Sequence, residues 1–378
     1  MPTTRNPGAL GALTMAVTLI AVMGLLALGG GDALAKKPVP PPPPPDPADV
    51  GVIYFRDYNM YTMDTDGTDK TVLEIDRFAG GSMEYRPSQV LHGGERWFLA
   101  NRITLPSVVD PNGKIRWEVY AVSESGASVL LFSEENMDIS QAGSLGWTSH
   151  DGVPDVKVSF AGRRFVPGPD STEENPTFVV GEYGIYVATI DPDDLPTAGA
   201  SLELEWTLLP IEFYLKSDIA FRVDYDWSPD GTAFAYTDCY LPGGGIFLAE
   251  DDGVGWTTSL LAASGSDVSW SNDGTRLAFT LAMDLCTMNS DGTGIVTVLE
   301  DPPDERKFTR HLGGRICWSP NDTHLAYTIW ELYTKDNLPA PTRNVDIHRV
   351  ELTGGGGIND VSLTTDIAGY NVTIGWER

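Results

Sequence analysis

The residues best suited to chemistry in this 378-residue chain are carboxylates in short clusters that contain glycine. Asp64-Thr65-Asp66-Gly67-Thr68-Asp69 places three acids within six positions, and Asn289-Ser290-Asp291-Gly292 echoes it. Oxygen donors spaced this way beside a glycine resemble part of a calcium loop. An EF-hand loop needs a longer pattern closed by a Glu, which both segments lack. Asp-Gly is also the pair that tight hairpins require, because both positions accept positive φ. We therefore read these two segments, and the acidic run Glu250-Asp251-Asp252-Gly253, as hairpin tips.

The other reactive residue types are dispersed. Five histidines, His92, His150, His311, His324 and His348, show no metal-ligand spacing, and an HExxH signature is missing. His324 lies in a strand pattern where its repeat mates are Ala233 and Arg276, so a solvated strand face is expected for it. Cys239, Cys286 and Cys317 all sit in strand-like runs and read as small core hydrophobes, without a CxxC pair. No G-x-S-x-G nucleophile elbow occurs. Gly354 to Gly357 lacks the Lys-Ser/Thr of a phosphate cradle. Asn371-Val372-Thr373 matches a glycosylation acceptor but falls in a strand. No catalytic, cofactor-binding or metal-ligating residue is assigned, and no cofactor is expected.

The elements that would position these residues come from an internal repeat. Asp226-Trp227-Ser228-Pro229-Asp230-Gly231-Thr232-Ala233-Phe234-Ala235-Tyr236-Thr237 aligns with a segment running from Ser269-Trp270-Ser271 to Thr280, and with another from Cys317-Trp318-Ser319 to Thr328. Weaker copies begin at Trp147 and Tyr85, and Trp376 stands two residues from the end. In each copy a short strand ends at an aromatic residue. Proline fixes φ, Asp-Gly completes a tight turn, and an alternating apolar strand follows. A second hairpin and a fourth strand complete the unit. Four antiparallel strands with one aromatic landmark per unit are the signature of a propeller blade.

The landmarks at 85, 147, 227, 270, 318 and 376 predict six blades. Residues 52–73 read as the later strands of a blade that lacks a first strand. Residues 372–376 read as a first strand with no continuation, so the C-terminal strand is expected to complete the N-terminal blade and remove an open edge. The fold class is all-β: a six-bladed propeller of four-stranded antiparallel blades over 51–378. The irregular insertions near 103–115, 167–182 and 332–344 are the expected variable surface.

The W-S-P-D-G-x-x-(hydrophobic)-A-(aromatic) core, followed by a hairpin ending in D-G-T, resembles the TolB-type propeller repeat. The resemblance is strong at 227, 270, 318 and 61–68 and weak between 85 and 210. TolB itself carries an N-terminal α/β domain where this chain has a proline run, so the resemblance implies a TolB-like propeller and not TolB. It speaks to turns and packing, and little to activity. Propellers of this type also accompany prolyl oligopeptidase hydrolases, but no segment here could form the hydrolase domain.

Export is read from residues 1–35. Arg5 precedes an apolar run from about Ala9 to Leu28, and Ala33-Leu34-Ala35 gives the small residues of a cleavage site. The run is also close in length to a spanning helix, which leaves an uncleaved anchor as the alternative. Residues 36–50 contain PVPPPPPPDP, a polyproline II spacer. The 53 acids against 25 bases give a net charge of −28, which repels nucleic acid and anionic lipid and keeps an exported protein soluble. The expected function is a monomeric, non-enzymatic binding or scaffold propeller in the cell envelope with an unknown protein partner. The alternatives are a carbohydrate-active lyase or hydrolase with its site in the channel, and a protein-interaction subunit tied to the membrane by its N-terminal helix.

Overall fold

The computed structural model describes residues 52–57, 59–73, 85–92, 95–104, 116–135, 137–139, 145–148, 156–172, 178–195, 201–211, 223–238, 245–300, 308–312, 315–335, 338–354, 356–364 and 372–377. The expected signal and proline spacer, Cys239, His150, Asn371 and the tips of all three insertions lie outside them.

The repeat folds as its turn chemistry dictates. In the best-formed copy, Ser228 N–H bonds to Ala233 O and Gly231 N–H to Ser228 O, with Gly231 at φ 68. The Asp230 carboxylate accepts from Ser228 Oγ at 2.6 Å, Thr232 N at 3.0 Å and Thr232 Oγ1 at 2.8 Å. Asp273 and Asn321 do the same for their own Ser and Thr partners. The turn launches Ala233–Thr237, which is buried at all five positions because both of its faces meet a neighbouring blade.

Six antiparallel sheets result. Blade I runs from Val372–Glu377 outward through Val52–Asp57, Asn59–Asp64 and Thr71–Leu73. Blade II is Tyr85–His92, Glu95–Thr104, Arg116–Ser123 and Ser128–Glu135. Blade III is Leu145–Trp147, Val156–Pro167, Phe178–Ile190 and Thr207–Leu208, with Met137–Ile139 added beside its second strand. Blade IV is Tyr225–Trp227, Ala233–Thr237, Ile246–Asp251 and Trp256–Ala262. Blade V is Ser266–Trp270, Arg276–Leu281, Asp284–Asn289 and Val296–Leu299. Blade VI is Cys317–Trp318, His324–Lys335, Leu338–Thr353 and Gly356–Ser362, with Phe308–Leu312 added.

The first strands of consecutive blades touch one another around a complete circuit, I–II–III–IV–V–VI–I. All six sequence landmarks lie on these first strands. The ring closes as expected: Ile53 pairs with Trp376 and Val52 with Glu377, so the last strand of the chain is the first strand of blade I. The core is not one central mass. It is divided into six apolar layers, one per interface between blades, such as Ile53, Met63, Trp376, Cys317, Ala326 and Ile347 between I and VI. Each buried aromatic or aliphatic side chain in these layers contributes roughly 1.5–3 kcal/mol of transfer free energy.

Polar contacts fix the register between blades. Trp227 Nε1–H donates across the interface to Ser159 Oγ at 2.9 Å, and Trp318 Nε1–H donates to Ser269 O at 3.2 Å. The Asp226 carboxylate accepts from Trp270 N at 2.8 Å. Asp322, held at φ 57, accepts from Asn272 N and Asp273 N at 2.8 Å.

Candidate binding face

The acidic clusters are consumed by the turns they make. Asp66 Oδ1 accepts from Thr68 N at 2.9 Å and Thr68 Oγ1 at 2.6 Å, and Asp291 Oδ1 repeats this with Thr293. Burial works against ionisation of Asp66, but these hydrogen bonds win and hold its pKa below the usual carboxylate value. At Asp291 the Thr293 hydroxyl and amide bonds lower it outright. Asp64 behaves oppositely. Burial and the adjacent charges of Asp69 and Asp66 raise its pKa. Asp252 at the blade IV tip is lowered by the amides of Val254 and Gly255. Among the described residues no three His, Cys, Asp or Glu side chains are grouped so as to hold a metal ion.

One histidine is placed differently from expectation. His324 is buried, not solvated: it is 7% exposed, its Nδ1 lies 2.9 Å from Thr323 Oγ1 and its ring 6.2 Å from that of Trp376. An alternating pattern suggests one wet face, but both faces of an inner propeller strand pack on other blades. His348 is buried on blade VI, where its Nδ1 and Tyr327 Oη both bond Asp360 Oδ1, at 3.0 and 2.6 Å. Cys286 and Cys317 are buried in strands as expected, and burial raises the Cys286 thiol pKa.

The three insertions share one structural position. Each lengthens the hairpin between the second and third strands of its blade, in II, III and VI. Blades IV and V use strands of five or six residues there. Blade II uses ten and eight, blade III twelve and thirteen, and blade VI twelve and sixteen. In an antiparallel meander these hairpins leave the ring at one end, opposite the Ser-Pro-Asp-Gly turns. Along Val156–Pro167 burial fades towards Pro167, so the strand leaves the packed ring. Its length exceeds that of a short blade by about six residues, or roughly 20 Å of strand.

An ion-pair cluster braces this wall. Arg164 of blade III holds Glu134 of blade II through two parallel bonds, Nε to Oε1 at 2.8 Å and Nη2 to Oε2 at 2.9 Å. Its Nη1 donates to Glu182 at 2.8 Å. The hydrogen bond to Glu134 outweighs partial burial and raises the Arg164 pKa. Beneath it burial pushes the Tyr186 phenol up to about 12. Arg116–Glu135 at 3.2 Å and Arg102–Glu118 at 2.6 Å continue the array along blade II. Sequence reasoning missed these pairs. Arg164 and Glu134 lie thirty positions apart on different blades, and no local pattern joins them. By contrast, blade V turns straight back at Ala282-Met283, at φ 50 and 78, leaving that side of the end low.

Solved structures share this architecture. TolB from Acinetobacter baumannii superposes with a TM-score of 0.50 at 13% identity, over 86% of this chain and 66% of that one. The fold is a TolB-like six-bladed β-propeller. The low identity fits a TolB-like chain and not TolB itself. A putative TolB from Agrobacterium tumefaciens matches with a TM-score of 0.43 at 14% identity, over 83% of this chain and 88% of that one. Oligogalacturonate lyase from Vibrio parahaemolyticus matches with a TM-score of 0.41 at 12% identity, over 81% and 76%. No protein-family model matches the chain, and no curated protein sequence does.

Proposed function

We propose that this chain is an exported, non-enzymatic scaffold propeller that holds a protein partner in the cell envelope. Residues 1–35 direct export, or anchor the chain if uncleaved, and 36–50 form a stiff spacer ahead of the propeller at 51–378. The observation that carries the reading is the wall of lengthened hairpins on blades II, III and VI, braced by the bidentate Arg164–Glu134 pair. A ring whose blades differ mainly in loop projection at one end presents a shaped, rigid surface of the kind that recognition needs. The carbohydrate-active alternative has no specific observation in its favour.

The test is cross-linked affinity capture from envelope extract with the full chain as bait. A parallel bait has residues 105–115 and 173–177 each replaced by an Asn-Gly turn. One reproducible partner that the shaved bait loses is the expected result. Equal capture by both baits, or capture by neither, would sink the reading.

A further inference from the structure

Every blade ends in an outer strand, and an unpaired strand edge is a template for another strand. Five of the six edges are short, covered or interrupted. Blade I ends in three residues, Thr71–Leu73, and blade III in two, Thr207–Leu208. The blade II edge is covered, because Leu202 N–H donates to Leu130 O at 2.8 Å and Trp206 Nε1–H to Leu131 O at 3.1 Å. The blade V edge is four residues long, and a Cβ added at Gly357 of blade VI would lie 2.9 Å from Val298 O. The blade VI edge is broken by Asn359 at φ 56 and carries the acid Asp360.

Among the described residues, blade IV has none of these devices. Its edge, Trp256–Ala262, is seven residues long and contains no charge, proline or glycine. Thr257, Thr258, Ser259 and Leu260 are exposed, and blade V approaches the strand at Leu261, where Gly292 packs. Two apolar side chains flank the open stretch, Val254 at 96% and Leu260 at 56% exposure. Glu250, Asp251 and Asp252 are exposed at the same hairpin head, with Glu250 opposite Thr257 and Asp251 opposite Trp256.

We propose that the outer edge of blade IV is a strand-addition site for an extended peptide segment of a partner protein, apolar at alternate positions and flanked by lysine or arginine. In an edge strand every second residue turns its N–H and C=O outward, and a further strand satisfies that row in full. The apolar rim selects alternating side chains, and the acids at the hairpin head select the basic flank. A second copy of this chain brings another charge of −28, which opposes self-pairing. The site is separate from the hairpin face of blades II, III and VI and does not rest on that reading.

The experiment uses the full chain and a fluorescein-labelled peptide of alternating Thr and Val with paired lysines at both ends. Controls are the same peptide with paired glutamates, and two versions N-methylated along one or the other edge. Anisotropy at low salt is expected to show the lysine-flanked peptide binding at least tenfold more tightly than the glutamate-flanked one. N-methylation of one edge should abolish binding, and Leu260→Lys should weaken it at least tenfold. Thr258→Lys replaces that variant if it fails to fold. Amide exchange should slow at 256–260 when the peptide binds. Equal binding of all peptides, no binding, unchanged binding by the variant, or protection on the hairpins of blades II, III and VI instead would overturn the proposal. A concentration-dependent dimer that Leu260→Lys abolishes would give the edge to a second copy and also overturn it.

Discussion

At the scale of single residues, the acids of this chain serve the turns. Asp273 is the clearest case. Burial opposes its charge, but bonds from the Thr275 amide and the Ser271 and Thr275 hydroxyls draw its pKa below the ordinary 3.8. A carboxylate depressed on folding stabilises above its unfolded value, and that stability is lost as pH falls through the folded value. Wild-type protein is therefore expected to lose more stability than Asp273→Asn between pH 5 and pH 3, as read from urea midpoints. At pH 7 Asp273→Ala should cost about 1 kcal/mol. Asp64 has the opposite sign: its raised pKa makes the charged form costly above the unfolded value. Asp64→Asn should be neutral or stabilising at pH 7, with the difference vanishing below about pH 3.8. Gly292 tests backbone against packing. It sits at φ 84, and a Cβ there would lie 2.8 Å from Leu261 O. Gly292→Ala is expected to destabilise by more than about 1 kcal/mol in chemical denaturation, since both the torsion and the space forbid the methyl.

At the scale of elements, the blades are joined by layers that neither neighbour can complete alone. The Arg164–Glu134 pair crosses one such seam above the apolar layer of Trp97, Val158 and Phe160. It is about a third exposed, which limits its worth, but its two parallel bonds and the third to Glu182 fix the geometry. A double-mutant cycle of Arg164→Ala and Glu134→Ala should give a coupling energy of about 1 kcal/mol, shrinking in high salt. A coupling near zero at low salt would mean that the wall of long hairpins stands by its backbone pairing alone.

At the scale of the whole molecule, the closing strand governs cooperativity. Val372–Glu377 gives blade I its inner strand and buries Trp376 to 3% exposure. Removing residues 372–378 exposes the inner edge of Val52–Asp57 and opens the apolar layer between blades I and VI. We expect loss of the single cooperative melting transition and concentration-dependent aggregation, measured by calorimetry and light scattering. Trp376→Ala should keep the ring closed at a cost of roughly 3–5 kcal/mol.

Six blades, their order, the turn chemistry and the C-terminal closure were all legible in the chain, because these are local: Ser-Pro-Asp-Gly encodes a turn wherever it stands, and an aromatic landmark recurs once per blade. Asp64–Asp69 and Asn289–Gly292 follow the same local logic as hairpin tips, since the Asp66 and Asp291 carboxylates bond to the Thr two residues ahead. Locality also explains the failures. The buried place of His324 depends on blade I packing over it, the Arg164–Glu134 pair on two blades meeting, and the common end of the three insertions on the ring. The bare edge of Trp256–Ala262 is visible only when the short, covered or interrupted edges of the other five blades are set beside it. Period and turn propensity belong to neighbours in sequence. Burial, ion pairing and exposed edges are set by what closure brings alongside, and in this chain only the tertiary structure decides them.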